Sequence, residues 1–373
     1  MSSIAGPADG PVAVTGAAGF IGSHVTRNLV EAGYQVRACV RDAGRADKTS
    51  HLREIGAAGP GSIELLSVDL MDAINGSYDK AFADCSAVFH LAADLGSDSS
   101  YDTPTAERVY ASLMDMTEGV FESVRKAGTV KRVIYTSSVV AVIGPGLRDR
   151  PRNYIFTEDD WAGGSYETLD ERYTWKNEAG DMVNHWTVEA QAYAKGKVDA
   201  ERLAYDFGAK HGIDVISVLP SMVLGPLMVK AHNSAWQQSI GLMLSGAKDF
   251  RGRDYVWNIV DVRDIAQAQR LAAESNTATN GTRYLLAAWD ESGELSSRIL
   301  IDSLCELYPN INVAGGHLPK PAKLRSRVRC AKAIEELGLE THDVRDTLKA
   351  TGDSLIKLSA IEPAYKARSG KEE

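Results

Sequence analysis

The chain has 373 residues, of which 44% are hydrophobic and 24% charged, and a formal net charge of -9. That length buries a substantial core, as one two-lobed unit or as two domains; no apolar run approaches the roughly 18 residues of a membrane span, and the acidic balance argues against a nucleic-acid surface. Four cysteines without CxxC spacing, and eight histidines without HxH or HExxH spacing, argue against a metal site and fit reduced thiols in a cytoplasmic protein. The expected partner is a small molecule, with no nucleic acid and no membrane.

Residues 1–10 are small and polar and read as a loose leader, not a signal peptide. Short β-branched apolar runs at 12–15, 36–40, 63–68, 87–91, 133–136 and 215–219 predict buried parallel strands. Helical patterns lie between them, 21–32 closing on Gly33 and 105–127 closing on Gly128. The alternation predicts an α/β fold, a Rossmann-type doubly wound parallel sheet. After Thr136 it stops for about fifty residues, long for a loop. This aromatic-rich insertion at 145–190 carries Tyr154, Phe156, Trp161, Tyr166, Tyr173, Trp175 and Trp186, as a satellite core or a substrate lid. Beyond Pro220 come a helix near 234–244, a strand near 255–260, a helix at 262–273 and a strand at 283–287. Residues 1–220 thus read as a dinucleotide-binding core and 221–373 mainly as a smaller mixed α/β substrate lobe, with 261–275 returning to the core and 366–373 frayed.

The first strand runs directly into a Gly-x-x-Gly-x-x-Gly turn that opens an amphipathic helix. Gly16, Gly19 and Gly22, with Phe20 and Ile21, then bring backbone N–H groups and the helix dipole to a pyrophosphate. About twenty residues on, where the ribose contact is expected, the second strand ends in Cys39-Val40-Arg41-Asp42. Arg41 there, with Lys48 in the following loop, favours a 2'-phosphate and hence NADP(H); solvated surface charge is the other reading. Asp69, before Leu70, offers an acceptor to the adenine amine, and Leu91, Ala92 and Ala93 end the fourth strand beside the cofactor.

Tyr193 and Lys197 stand at i and i+4 on a helical pattern and share one face. Ser137 and Ser138 end the fifth strand at the carboxyl edge, where open α/β sheets hold ligands. In this constellation Ser138 hydrogen-bonds a carbonyl oxygen, Tyr193 donates the proton, and the Lys197 ammonium lowers the tyrosine pKa from about 10 toward neutrality and reaches the nicotinamide ribose. Lys195 points elsewhere, toward solvent. Val139, Val140, Ile143 and Met222, with Trp175 and Trp186 from the insertion, are pocket candidates that suit a core equally well.

On these residues the chain resembles the extended short-chain dehydrogenase/reductases, specifically the dihydroflavonol-reductase-like branch that includes fungal aldehyde and carbonyl reductases and cinnamoyl-CoA reductases. The match rests on segments 15–22 and 36–42, on Tyr135-Thr136-Ser137-Ser138, on Tyr193 with Lys197, and on segments 260–266 and 332–338. The resemblance implies that Arg41 and Lys48 take the 2'-phosphate, that Pro220 and Val223 lie against the nicotinamide, and that Ser138 is the catalytic serine. It assigns 260–266 to packing between the lobes, so Asp261 and Asp264 stay outside the chemistry. Relatives are monomers or homodimers, and the helices at 105–127 and 193–210 form a dimer face or merely cover the sheet. Three departures narrow the substrate. Ile143 replaces an asparagine that recognises the flavonoid ring, Glu189-Ala190-Gln191-Ala192 replaces the Asn-Trp-Tyr-Cys run of the cinnamoyl-CoA reductases, and Met116-Thr117-Glu118-Gly119 stands where relatives often carry Gly-Thr-x-Asn. The expectation is reversible, NADPH-dependent reduction of a hydrophobic, aromatic aldehyde or ketone. A nucleotide-sugar epimerase or dehydratase with retained cofactor, and a non-catalytic NADP-binding redox sensor, are the alternatives.

Overall fold

The structure, a computed structural model, describes residues 5–93, 105–144, 150–151, 154–166, 174–176, 182–184, 187–247, 256–287, 295–315 and 328–367. The first half comprises β1 (Val12–Thr15), α1 (Phe20–Glu31), β2 (Gln35–Val40), α2 (Ala46–Ala58), β3 (Ser62–Ser67), α3 (Asp79–Phe82), β4 (Ala87–His90), α4 (Ala106–Ala127), β5 (Arg132–Thr136), α5 (Val140–Ile143), β6 (Thr174–Lys176) and β7 (Met182–Asn184). There follow α6 (Val188–His211), β8 (Asp214–Pro220), β9 (Met222–Leu224), α7 (Ala235–Leu244), β10 (Ile259–Asp261), α8 (Val262–Glu274), β11 (Arg283–Leu286), α9 (Ser297–Leu307), α10 (Ala331–Leu337) and α11 (Val344–Lys357).

Seven strands pair in parallel in the order β3-β2-β1-β4-β5-β8-β11. The chain winds outward in both directions from β1, so a crevice opens between the carboxyl ends of β1 and β4, with Thr15 level with His90. Alternating side chains build two layers. Val14, Phe89, Ile134 and Ile216 pack on the face covered by α1 and α8, while Ala13, Val88, Val133 and Val215 pack beneath α4 and α6. The α4–α6 pair therefore covers the sheet. Among the described residues no helix is long and apolar enough to cross a membrane.

The strands expected from apolar runs form within a residue or two, and Thr105 and Gly128 bound α4 as its cap and left-handed stop. Three elements differ from expectation. Lys48 lies in α2, not in a loop; that helix buries only Thr49, His51 and Leu52, too narrow a stripe to announce itself. The strand expected near 255–260 contracts to β10, with Val256 making a single bridge to Ser296. And β11 is the edge strand of the large sheet, so it joins the core in addition to α8, which packs on α1. A second apolar core gathers β9, α7, α9 and α11 around Leu224, Ile240, Trp257, Leu300 and Leu348.

Of the insertion's aromatics, Phe156, Tyr154 and Trp161 pack with Val139, Val142, Leu219 and Leu285 as a satellite core, and Tyr166 stacks on Tyr110 at 5.0 Å. Tyr173, Trp186 and the side chain of Trp175 lie outside the described residues. This segment is fastened by a buried ion pair. Arg283 of β11 donates to Glu201 of α6 at 2.8 Å and to the carbonyls of Glu158 and Asp160 at 2.6 and 2.7 Å, with its guanidinium 3.7 Å over the Trp161 ring. Glu201 also accepts from Ser137 at 2.6 Å and from Tyr205 at 2.8 Å. Removing the carboxylate strands a buried guanidinium, so Glu201→Ala should cost about 3–5 kcal/mol of stability. Chemical denaturation checks this, and a loss below about 1 kcal/mol would show that the pair is not a structural tie.

Candidate active site

The cofactor end of the crevice is built from β1 outward. Past Thr15 the chain turns at Gly16 in the left-handed region, φ 67°. The Gly19 N–H bonds the Gly16 carbonyl at 2.9 Å, and a Cβ at Gly22 would run into that same carbonyl. Gly19 caps α1 without any side-chain acceptor. The first turn, Phe20 to Gly22, thus lacks a side-chain cap, the condition in which an anion takes that place. The Thr15 hydroxyl accepts from the N–H groups of Leu91 and Ala92, both at 3.0 Å, and so donates to His90 Nδ1 at 2.9 Å. Burial, aided by Lys197, lowers His90 to about 3, which keeps the ring neutral and able to accept. Thr15 and His90 were absent from the expected site; their signal was a hydroxyl and an imidazole at the ends of two apolar strands.

Arg41 stands exposed just past β2, and Lys48 is exposed on the first turn of α2. Neither forms an ion pair among the described residues, whereas neighbouring Arg45 pairs with Asp47 at 2.7 Å. Asp69 spends one carboxylate oxygen capping its own 3-10 turn through the Met71 N–H at 3.0 Å, just before Leu70. The uncapped turn and the two unneutralised cations fit a dinucleotide that carries a phosphate on its adenosine ribose.

The chemistry end is a cavity of about 720 Å³ at the carboxyl edge of the sheet. Ile21, Leu91 and Ala93 line it from the cradle side, Pro220 and Val223 from β8 and β9, and Ser138, Tyr193 and Lys197 from β5 and α6. α6 starts at Thr187, whose hydroxyl accepts from Ala190 N–H, and runs unbroken to Gly212. Its one-turn spacing puts Lys197 Nζ 5.9 Å from the Tyr193 ring centre, while the ammonium donates to the Thr136 carbonyl at 3.1 Å. Ser138 and Tyr193 line the cavity together. Ser137 also lines the cavity, with its hydroxyl bonded to Glu201 at 2.6 Å. Lys195 is not free in solvent: it pairs with Asp199 at 2.6 Å.

One electrostatic expectation is overturned. Burial raises Tyr193 above the ordinary tyrosine value, with the Ser138 hydrogen bond as the opposing influence, and Lys197 does not bring it toward neutrality. The ammonium is itself weakened, to about 8, because burial disfavours its charge more than Glu201 supports it.

Val139, Val140, Ile143 and Met222 line the cavity, and the side chains of Trp175 and Trp186 fall outside the described set. Ala190, Trp236, Val256 and Asn258 line it too and went unrecognised in the sequence. Trp236 is set edge-on against Trp257 at 5.5 Å, and Trp257 is anchored by its indole N–H on Ser297 at 3.0 Å. Such a site can seat an apolar body while presenting a hydroxyl, a protonated phenol and an ammonium to one oxygen.

Residues 12–167 match the NAD dependent epimerase/dehydratase family. Dihydroflavonol 4-reductase of Hordeum vulgare is 31% identical over 300 residues, covering 80% of this chain and 76% of its own. Cinnamoyl-CoA reductase CAD2 of Medicago truncatula is 30% identical over 347 residues, covering 92% and 95%. Among solved structures, yeast methylglyoxal/isovaleraldehyde reductase Gre2, complexed with NADPH, aligns with a TM-score of 0.74 at 21% identity, over 94% of this chain and 99% of that one.

The lowered lysine has a thermodynamic signature. Lys197 loses its proton near pH 8 when folded and near its ordinary 10.5 when unfolded, so between those values the unfolded chain holds more protons. The stability of the wild type relative to Lys197→Met should therefore rise from pH 8 to 10.5. Parallel stability curves for the two proteins across that window would show that Lys197 titrates normally.

Proposed function

The chain belongs to the extended short-chain dehydrogenase/reductases, in their dihydroflavonol-reductase-like branch, and from that premise we propose that it reduces hydrophobic aldehydes or ketones with NADPH. The observation that carries the reading is the convergence of Ser138, Tyr193 and Lys197 on one cavity beside the glycine turn. When bound, NADPH supplies the hydride for the carbonyl carbon. The chain's own residues handle the oxygen. Ser138 and Tyr193 hold it by hydrogen bonds, and Tyr193, kept protonated by burial, transfers its proton as negative charge develops. The Lys197 ammonium, one turn away, stabilises the resulting phenolate. Proximity supplies much of the remaining acceleration, because the cavity walls fix the carbonyl against these groups.

The turn at Gly16, Gly19 and Gly22 receives the pyrophosphate, Arg41 and Lys48 the 2'-phosphate, and Pro220 and Val223 flank the nicotinamide. Relatives named as reductases of dihydroflavonols, cinnamoyl-CoA and methylglyoxal or isovaleraldehyde support a reductase. The valine, isoleucine, methionine and tryptophan walls favour an apolar, aromatic substrate over a nucleotide sugar, which needs many polar partners. A sensor without catalysis would have no use for the three polar groups gathered in that cavity.

Turnover is tested by following NADPH oxidation with aromatic aldehydes, ketones, keto esters and UDP-sugars. Tyr193→Phe should lower kcat by about 10²–10⁴-fold and leave the NADPH Kd unchanged. An unimpaired mutant would remove Tyr193 from the proton-donor role. Arg41→Ala should weaken NADPH about 10- to 100-fold, the worth of a charge-assisted contact, while sparing NADH. Equal losses for both cofactors would mean that Arg41 does not read the 2'-phosphate.

A further inference from the structure

The glycine turn is held from behind by hydroxyl and imidazole groups that the proposed chemistry does not use. Ser23 of α1 donates to the Ala17 carbonyl at 3.1 Å and meets His51 Nε2, from α2, at 2.8 Å. With its one hydrogen given to Ala17, the hydroxyl accepts from the His51 Nε2–H. His232 lies in a 3-10 turn, Lys230–His232, between β9 and α7, and is buried. Its Nε2 is 3.2 Å from the Ala18 carbonyl, and its Nδ1 accepts from the Met228 N–H at 3.4 Å. A carbonyl only accepts, so one neutral tautomer satisfies both contacts. The His232 ring packs edge-to-face on His51 at 5.3 Å and against Phe20 at 5.8 Å. Burial lowers its pKa to about 4, so the neutral form persists at ordinary pH.

Holding the Ala18 carbonyl fixes the planar Ala18–Gly19 peptide, from which the first N–H groups of α1 fan out. The same 3-10 turn is flanked by cavity walls, Met222 and Val223 of β9 before it and Trp236 of α7 after it. We propose that His232 is a positioning residue, a latch that ties the glycine turn to the β9–α7 segment and so couples dinucleotide binding to the shape of the substrate cavity. The inference rests on the dinucleotide reading of that turn.

The test compares wild type, His232→Leu and His232→Gln, with NADPH Kd read by fluorescence titration and folding by thermal denaturation. The glutamine amide can restore the donor to Ala18. The leucine variant should bind NADPH about three- to tenfold more weakly, the worth of one hydrogen bond, and raise the carbonyl KM with kcat nearly unchanged. The glutamine variant should keep wild-type NADPH affinity. A folded leucine variant with wild-type Kd, or a glutamine variant as weak as leucine, overturns the latch. Should leucine fail to fold, hydrogen exchange on the wild type decides: NADPH should slow amides at 228–236 together with those at 16–23, and protection confined to 16–23 overturns it. Wild type that binds NADPH but reduces no carbonyl refutes the activity and leaves these binding readouts valid. Wild type that does not bind NADPH overturns the dinucleotide reading and the latch together.

Discussion

A single buried carboxylate, Glu201, joins the parts of the candidate site that come from distant stretches of chain. It meets Ser137 at the end of β5, Arg283 on the edge strand β11 and Tyr205 on its own helix, while the guanidinium it holds grips the carbonyls of Glu158 and Asp160. A buried ion pair adds little net stability over apolar packing, because desolvation offsets the attraction. Its contribution here is position. Ser137 is held beside Ser138 at the cavity, and the helix that bears Glu201 presents Lys197 and Tyr193 one and two turns earlier.

That placement has an electrostatic consequence for the same helix. Burial dominates the titrations of Tyr193 and Lys197 in opposite directions. The phenol is held in its acid form. Glu201 counteracts the loss of ammonium character at Lys197 from one turn away. The phenol and the neighbouring ammonium thus share one desolvating environment and one compensating charge.

The start of α8 is fastened to α11 and the segment before it by polar contacts of a similar kind. Asp261, at the start of α8, accepts from Thr347 of α11, and Asp264 accepts from the backbone and ring of His342. Both carboxylates are engaged in caps and pairs, consistent with a packing role. His232 extends this fastening to the glycine turn itself.

The nucleotide-binding half was legible because its signals are local. A strand, a three-glycine turn and a helix follow one another within segment 12–31, and a tyrosine and a lysine four residues apart on a helix must share a face whatever surrounds them. The position of Arg41 was readable for the same reason, as the first residue past a recognisable strand. What the sequence by itself determined was the α/β sheet and the family. What only the tertiary structure decided was that Ser137 gives its hydroxyl to Glu201, that β11 belongs to the sheet, that Trp236 and Asn258 wall the cavity, and that Tyr193 is raised, not lowered. Each of these depends on contacts between residues far apart in the chain, and desolvation, which sets the pKa values, is a property of the assembled surroundings that no local pattern encodes.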